Sequence, residues 1–231
     1  MEAIRAGSAE LRGDEARHLT RVLRVEPGQL FEVSDNQSAW LAEIAEARGD
    51  RVTFRILDPI ESPPVPVAIT LCAGLIKFDR FEWMVEKVTE LGVERILPVE
   101  AARSDKGLLE ASRKRQERWV RVAREASQQS RRVRVPEILP AVRFVDCLAT
   151  EADIRYFLEE AAAPPLLRSL PESRGGLDRV AALIGPEGGW TDAERKAAGE
   201  AGWLPVSLGP AVLRAETAAI AALAVLMNAW M

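Results

Sequence analysis

Two glycine-rich segments near the C-terminus hold the residues that could bind a small polar ligand. They are Gly185-Pro186-Glu187-Gly188-Gly189 and Leu208–Ala218. Each follows a short apolar stretch typical of a strand, and each opens into a helical pattern. Glycine lets backbone amides approach a ligand or take positive φ. The pair therefore predicts one pocket for a small polar cofactor, built from backbone amides and closed by the start of the last helix.

The first segment matches neither of the common nucleotide-binding motifs. The spacing GxGxxG is absent, and no Gly-Lys-Ser/Thr follows. A Gly-Pro turn alone is more often structural, but the second glycine-rich segment favours a binding role. The Glu187 carboxylate is better suited to bind a ribose hydroxyl or a cation than a phosphate. Alternatively, its negative charge stabilises the N-terminus of the helix that follows.

Arg214 and Glu216 stand at the start of a helix that has almost no other charge. One interpretation is a salt bridge at the helix start, which is worth little if exposed. The interpretation we favour is an arginine and a carboxylate at the edge of the cofactor pocket. The helix itself, residues 216–229, is apolar on every face and is expected to be buried all round, in the core or at a subunit interface.

The chain has one histidine and two cysteines, which limits the possible chemistry. A zinc site needs three or four nitrogen or sulfur ligands, and a Ser-His-Asp or Cys-His mechanism could use only His18. We interpret His18 as a polar contact of the N-terminal segment and expect no metal. Cys72 and Cys147 have no CxxC partner, so we expect a reducing compartment without a disulfide framework.

The ends of the chain carry no pattern of export or membrane insertion. The N-terminus lacks the apolar core of a secretory signal. The longest uncharged apolar run, residues 217–231, is too short and too rich in alanine to span a bilayer. Together with the unpaired cysteines, these features predict a cytoplasmic protein that does not bind a membrane.

Charge is concentrated in one segment of the chain. The net charge is −4, yet nine Lys or Arg stand against two Glu from Arg113 to Arg134, a local charge of +7. Arg121, Arg124 and Arg131 share roughly one face of a predicted helix. A solvated face is the ordinary explanation, but the scarcity of acidic residues favours contact with RNA phosphates.

The periodicity of apolar residues predicts two domains, 1–66 and 67–231. The first consists of short strands and a helix at 15–24, with Ala16, Leu19, Val22 and Leu23 pointing inward. Prolines in Asp58–Pro66 mark the boundary. Beyond it, strands alternate with helices, which indicates α/β architecture with a parallel sheet. We expect strands at 67–73, 95–99, 154–158, 180–184 and 204–208. We expect one helix that Asp79 caps, and further helices at 112–129, 191–201 and 216–229. The helix at 191–201 would begin with a Thr191/Glu194 capping box.

The order of several motifs resembles the RsmE family, which methylates small-subunit ribosomal RNA and belongs to the SPOUT superfamily. The resemblance covers nearly the whole chain, and the paired C-terminal loops are its most specific part. It departs at Gln128-Gln129, where the family usually has Glu-Gln, and at Glu159–Pro165. The matching motifs are His18-Leu19…Val22-Leu23-Arg24, Lys77, Glu86–Val93, Arg118-Trp119, Glu125-Ala126…Gln129…Arg132…Val135–Ile138, Ile184–Trp190 and Leu208–Ala218.

The resemblance implies a fold and a reaction. The fold would be a SPOUT-type parallel-sheet α/β domain with a deep trefoil knot, which is otherwise very rare, after a small PUA-like β-barrel that helps to hold RNA. The cofactor would be S-adenosylmethionine, and the product N3-methyluridine at one position of 16S rRNA, near the decoding site. The enzyme would be a homodimer, and recognition of folded RNA favours the assembled small ribosomal subunit as substrate.

The resemblance also assigns residues to the cofactor. Backbone groups of three segments would bind the adenine edge, and Leu158, Leu208 and Leu213 would contact its faces. Glu187 would lie near the rim, while Glu216 and Thr217 would close the pocket. The three segments are Phe157-Leu158-Glu159, Gly185-Pro186-Glu187-Gly188-Gly189, and Leu208-Gly209 with Val212-Leu213-Arg214.

For RNA and catalysis the resemblance implies Arg103, Arg132 and Arg214 near the target base, and His18 and Arg24 on the RNA-binding module. Arg132 and Arg214 are candidates to stabilise the anion that forms as N3 loses its proton, and Glu216 is a candidate general base. Two alternatives stay open: a SPOUT enzyme that methylates ribose 2′-OH on tRNA or rRNA, and a non-enzymatic RNA-binding assembly factor.

Overall fold

The computed structural model describes residues 7–61 and 65–231. The chain divides into two compact units, Met1–Pro63 and Pro64–Met231. This division falls inside the predicted proline-rich linker, slightly before residue 66, where the sequence placed the end of the first domain. Residues 62–64 of that linker lie outside the described residues.

The first unit contains a four-stranded antiparallel sheet in the order β1-β4-β3-β2. Alternation along the strands turns Val52 and Phe54 of β4 toward Ala42 and Ile44 of β3, and these side chains form the core of the unit. The sequence predicted three of the strands and missed β1. Their bounds are β1 Ser8–Arg12, β2 Leu30–Ser34, β3 Ala39–Arg48 and β4 Arg51–Ile60.

The predicted helix at 15–24 is replaced by two shorter elements. Helix α1 spans Asp14–Arg17, and a π-helical turn, His18–Leu23, follows it and ends at Arg24 with a left-handed φ of 51°. The prediction that Val22 and Leu23 point inward is wrong, because they are 65% and 55% exposed. The wider i→i+5 spacing of a π-helix rotates these residues out of the register that α-helical periodicity assumes.

The second unit is built on a seven-stranded sheet, ordered β11-β9-β10-β5-β6 with β7 and β8 both paired to β6. Every strand pair in it is parallel. The predicted parallel α/β architecture is therefore confirmed. The strands are β5 Ala68–Gly74, β6 Arg95–Glu100, β7 Glu137–Ile138, β8 Val142–Arg143, β9 Ile154–Leu158, β10 Arg179–Ile184 and β11 Leu204–Val206.

Helices cover both faces of this sheet. On one face Phe81 of α2, Trp119 of α4 and Ala219 of α7 join a core with alternate strand residues. On the other face, Cys147 of α5 and Ala198 of α6 join a second core. The helices are α2 Phe78–Glu90, α3 Leu108–Ser112, α4 Gln116–Gln129, α5 Phe144–Cys147, α6 Asp192–Glu200 and α7 Ala215–Ala229.

Two predicted helix boundaries are wrong and one capping motif is confirmed. Lys77, not Asp79, is the N-cap of α2, and no side chain caps it. The helix predicted at 112–129 begins only at Gln116, because residues 113–115 form a turn and Ser112 ends the preceding helix α3. The capping box of α6 is present: the Thr191 side chain accepts a hydrogen bond from the Glu194 amide, and the Glu194 side chain accepts one from the Thr191 amide.

Helix α7 is buried on one face only. Ala219, Ala222 and Leu223 are almost fully buried, whereas Ile220 and Val225 are half-buried. The expectation that the helix is buried all round is thus wrong for a single chain. The prediction that a subunit interface covers the half-buried residues of α7 stays open.

The two cysteines that sequence left without a partner are neighbours in the fold. Both Cys72 of β5 and Cys147 of α5 are free and buried. The adjacent Cys72 thiol and burial raise the pKa of Cys147, so this thiol stays protonated.

Candidate functional site

The three predicted cofactor segments meet at the carboxyl edge of the parallel sheet. Strands β9, β10 and β11 end at Leu158, Ile184 and Val206, and one predicted segment lies at, or within two residues of, each of these strand ends. The three strands are neighbours in the sheet, with β5 on the far side of β10. The carboxyl edge of an open parallel sheet is where ligands of α/β proteins bind.

The loop 185–189, called here the first glycine loop, packs directly on the end of β5. A Cβ added to Gly74 would lie 2.6 Å from the Pro186 nitrogen and 2.9 Å from the Gly185 carbonyl carbon. Backbone therefore meets backbone, and only glycine fits at residue 74. Sequence reasoning missed Gly74, although a glycine that ends an apolar strand is a signal of close backbone approach.

Trp190 ties the first glycine loop to the end of β9. Its indole nitrogen donates to the Leu158 carbonyl at 2.9 Å, and the side chain is 1% exposed. A Cβ added to Gly185 would lie 2.9 Å from the Trp190 ring. The predicted residues Leu158 and Gly185 are therefore brought together through one buried tryptophan, with Pro186 and Gly189 also buried.

The outer side of the first glycine loop is held by arginines. Glu187 and Gly188 are exposed. Arg80 of α2 forms an ion pair with Glu187, and Arg103 donates from Nη1 to the Gly188 carbonyl at 3.0 Å. The sequence assigned Arg103 to RNA and missed Arg80.

The carboxylate of Glu159 is engaged by the protein itself. Arg195 of α6 donates to Glu159 Oε1 at 2.8 Å and to the Trp190 carbonyl at 2.9 Å. The hydrogen bond to Glu159 raises the pKa of Arg195. The Glu159 backbone amide donates to the Val206 carbonyl at 2.8 Å, so this residue fixes the geometry between β9 and β11.

The second glycine loop, residues 208–214, is open to solvent. Leu208 packs partly on the core, and Gly209 has a φ of 126°, which favours glycine. Val212 and Leu213 are 77% and 37% exposed. These two apolar side chains and exposed Arg214 are therefore open to solvent at the carboxyl edge.

Glu216 lies in the first turn of α7 and is 5% exposed. Its Oε2 atom has no hydrogen-bond partner among the described residues. An exposed salt bridge with Arg214 is not the arrangement found, because Glu216 is buried. Thr217, the next residue, is exposed. A buried carboxylate oxygen without a partner needs an explanation.

The structure does not bring Arg132 together with Arg214 and Glu216 in one chain. The Arg132 guanidinium donates to the carbonyls of Thr89 at 2.6 Å and Val93 at 2.9 Å, at the C-terminal end of α2. About 18 Å of helix separates Thr89 from the carboxyl edge of the sheet. Burial lowers the pKa of Arg132. A catalytic role for Arg132 stays a prediction.

The predicted RNA-binding residues lie at the surface. Arg121, Arg124 and Arg131 are exposed, while Trp119 on the opposite side of α4 is buried. In the first unit, His18 and Arg24 are exposed at the two ends of the π-helical turn. The exposure agrees with the predicted faces, and RNA contact by these residues stays a prediction.

The described residues contain neither a metal-binding cluster nor a membrane-spanning helix. Over residues 7–61 and 65–231, no group of three or more His, Cys, Asp or Glu could hold a metal ion. Within the same described ranges, no helix combines the length and the apolar character needed to cross a membrane.

Comparison with known proteins connects this geometry to a family. The family model for an RNA methyltransferase domain matches residues 63–227, and the model for an RNA methyltransferase PUA domain matches residues 11–57. The chain is 31% identical to ribosomal RNA small subunit methyltransferase E of Bacillus subtilis, over 94% of this chain and 89% of that protein.

Two solved structures share the fold over almost the whole chain. One is a ribosomal RNA small subunit methyltransferase E from Neisseria gonorrhoeae bound to S-adenosyl methionine, with a TM-score of 0.86, 29% identity and coverage of 99% of this chain and 95% of that one. The other is a methyltransferase from Legionella pneumophila in complex with the same cofactor, with a TM-score of 0.86, 31% identity and coverage of 99% and 95%.

Proposed function

The chain belongs to the RNA methyltransferase family, and from that premise we propose that it transfers a methyl group from S-adenosylmethionine to N3 of one uridine in 16S rRNA during ribosome maturation. The observation that carries this proposal is the meeting of three backbone segments at the carboxyl edge, next to a buried carboxylate with an unpartnered oxygen. The two solved structures described above hold S-adenosylmethionine.

The residues at the carboxyl edge fit this cofactor. The first glycine loop supplies backbone groups for the adenine edge, with Leu158, Leu208 and Leu213 beside it. Exposed Val212 and Leu213 lose contact with water when an adenosyl group covers them, which favours binding by the hydrophobic effect. Thr217 closes the site at the start of α7.

Arg214 and Glu216 do the chemistry in this proposal. When bound, S-adenosylmethionine supplies an activated methyl group. The chain must place uracil N3 in line with that group and receive the N3 proton. Glu216 accepts this proton on its unpartnered Oε2, and Arg214 stabilises the negative charge that develops on the uracil carbonyl oxygens. Arg132 is set apart because it lies at the other end of α2.

RNA binds through exposed arginines on both units and through His18 of the first. Arg121, Arg124 and Arg131 contact phosphates from the second unit, and His18 and Arg24 do so from the first. The exposed pair Val22 and Leu23, 65% and 55% exposed, adds apolar contacts to bases. Recognition of folded RNA by such surfaces favours the assembled small subunit, in the cytoplasm, as substrate.

The active form is a homodimer in this proposal. The apolar residues of α7 that stay half-buried in one chain would be covered further by a second copy. The deep trefoil knot also belongs to the proposal. It rests on the family resemblance, with which the placement of β10 between β5 and β9 agrees.

The test is transfer of labelled methyl from S-adenosylmethionine to small ribosomal subunits that lack the modification, with the product nucleoside identified by mass spectrometry. N3-methyluridine is the expected product. A 2′-O-methyl nucleoside would keep the cofactor site and overturn the target. RNA affinity without affinity for S-adenosylmethionine would make the chain an RNA-binding factor and not an enzyme.

A further inference from the structure

Two arginines from different elements contact the exposed side of the first glycine loop. Arg80 lies in the first turn of α2 and pairs with the Glu187 carboxylate. Arg103 lies after β6 and donates to the Gly188 carbonyl at 3.0 Å. The loop is thus held from two sides at neighbouring residues, in addition to Gly74 beneath it.

The segment around Arg103 is itself fixed to the protein. The Ala102 amide donates to Glu194 Oε1 at 2.8 Å, and the Ala101 amide donates to the Ser104 hydroxyl at 3.2 Å. A Cβ added to Gly188 would lie 2.8 Å from Arg103 Cβ and 3.1 Å from its carbonyl oxygen. Arg103 therefore meets the loop as part of an anchored segment and not as a free surface arm.

The contact through Arg80 is of a different kind. The side chains of Arg80 and Glu187 are 32% and 41% exposed, so water and salt weaken their attraction. Glu187 is the only loop residue between 185 and 189 with a charge. Its carboxylate is directed to α2 and not to the backbone of the loop.

We propose that Arg103 and Arg80 are positioning residues, which keep the first glycine loop in its binding conformation and act on S-adenosylmethionine only through that loop. The inference rests on the proposed function of the loop. It gives Arg103 a role other than the RNA contact expected from sequence. Loss of either arginine then lowers cofactor affinity and leaves the chemical step unchanged once cofactor is saturating.

The first experiment measures S-adenosylmethionine binding to the full chain by calorimetry, with methyl transfer kinetics beside it. Arg103→Ala is expected to weaken binding about tenfold, because it removes a charged donor from a carbonyl. Arg80→Ala weakens it about two- to fivefold, as for a half-exposed pair. In both variants KM for the cofactor rises and kcat stays at the wild-type value.

Arg179→Ala is the matched control. Arg179 starts β10, at the opposite end of the strand that leads into the loop, and pairs with Asp153 at 3.2 Å. Its removal breaks an ion pair of the same unit without touching the loop. Cofactor affinity is expected to stay at the wild-type value.

A charge swap separates positioning from direct contact. Arg80→Glu and Glu187→Arg each weaken cofactor binding, and the double variant recovers most of it if the pair acts by holding the loop. If Glu187 instead contacts the cofactor, the double variant binds no better than the Glu187→Arg single variant, and the role of Arg80 is refuted.

Other outcomes separate this inference from the proposed function. Wild-type protein that binds no S-adenosylmethionine overturns both. Wild-type binding with unchanged affinity in Arg103→Ala overturns the inference alone, as does a fall in RNA affinity with cofactor affinity intact. If Arg103→Ala does not fold, Gly188→Ala displaces the same segment from the loop and is expected to give the same rise in KM.

Discussion

Of the two glycine loops at the carboxyl edge of the sheet, the first is packed against the chain and the second is open to solvent. In the first, Gly185 lies against Trp190, and Gly189 is buried. In the second, Val212 is 77% exposed and Leu213 37% exposed. Both loops follow parallel strands of one sheet, so their positions in the fold are comparable. Their packing against the rest of the chain differs.

The difference indicates a division of labour within one site. The packed loop exists before any ligand arrives, so it costs little ordering entropy on binding. The open loop has few packed neighbours and is the part that a ligand can order. Glu216, with its unpartnered oxygen, follows the open loop and not the packed one. The preformed side is thus suited to binding and the open side to chemistry.

The largest effect is expected from the carboxylate that follows the open loop. Glu216→Gln keeps the shape of the side chain and removes the proton acceptor. We expect kcat to fall about 100-fold or more, with the Kd for S-adenosylmethionine unchanged. Single-turnover methyl transfer at saturating cofactor measures the first quantity, and calorimetry the second.

Glu200→Gln is the control for that variant, since Glu200 is exposed at the end of α6. It is expected to behave as wild type in both assays. A Glu216→Gln enzyme with a wild-type rate constant would leave the proton to another acceptor and would make the buried carboxylate a structural feature of α7.

The next effect concerns the packed loop. Gly185→Ala places a Cβ 2.9 Å from the Trp190 ring, and such overpacking costs about 1–3 kcal/mol of unfolding free energy. We expect a lower Tm and weaker cofactor binding together, because the loop must move off Trp190. Gly199→Ala is the control, as a Cβ at residue 199 meets nothing within 4 Å. Equal Tm values for the two variants would contradict a preformed loop.

A smaller effect is expected from the open loop. Leu213→Ala removes an apolar side chain that is already partly exposed, so the free energy of unfolding should hardly change. If the cofactor covers Leu213, binding weakens by about 1–2 kcal/mol. Calorimetry and thermal unfolding on the same variant separate the two quantities. A fall in Tm without a change in Kd would show that Leu213 packs against the folded chain and not against the cofactor, which contradicts an open second loop.

The regular parts of this fold could be predicted because their causes are local. Residues 154–158 form a strand as expected, and the Thr191/Glu194 capping box needs only residues of its own turn. The three cofactor segments were identified by the family resemblance, and they lie at one edge because parallel strands share a direction. The order of the strands in the sheet depends on pairing between distant residues and did not follow from the pattern.

The errors lie where long-range packing or unusual local geometry decides. Gly74 matters only because Pro186 arrives against it from far along the chain. Asp79 is a good capping residue by type, yet the N-cap is Lys77, two residues earlier. Arg80 has the sequence context of an ordinary exposed helix residue, and its partner Glu187 lies on another element. Such pairs become visible only once the fold has placed both.

The smallest effect on turnover is expected at Arg132, which sequence joined to the catalytic group. Arg132→Ala removes hydrogen bonds to the carbonyls of Thr89 and Val93, so unfolding becomes easier by about 1–3 kcal/mol. Because these carbonyls end α2 far from both glycine loops, kcat should stay within about twofold of wild type. A fall in kcat of tenfold or more at unchanged Tm would restore the catalytic role, and would then require that a second protomer bring Arg132 to the open loop.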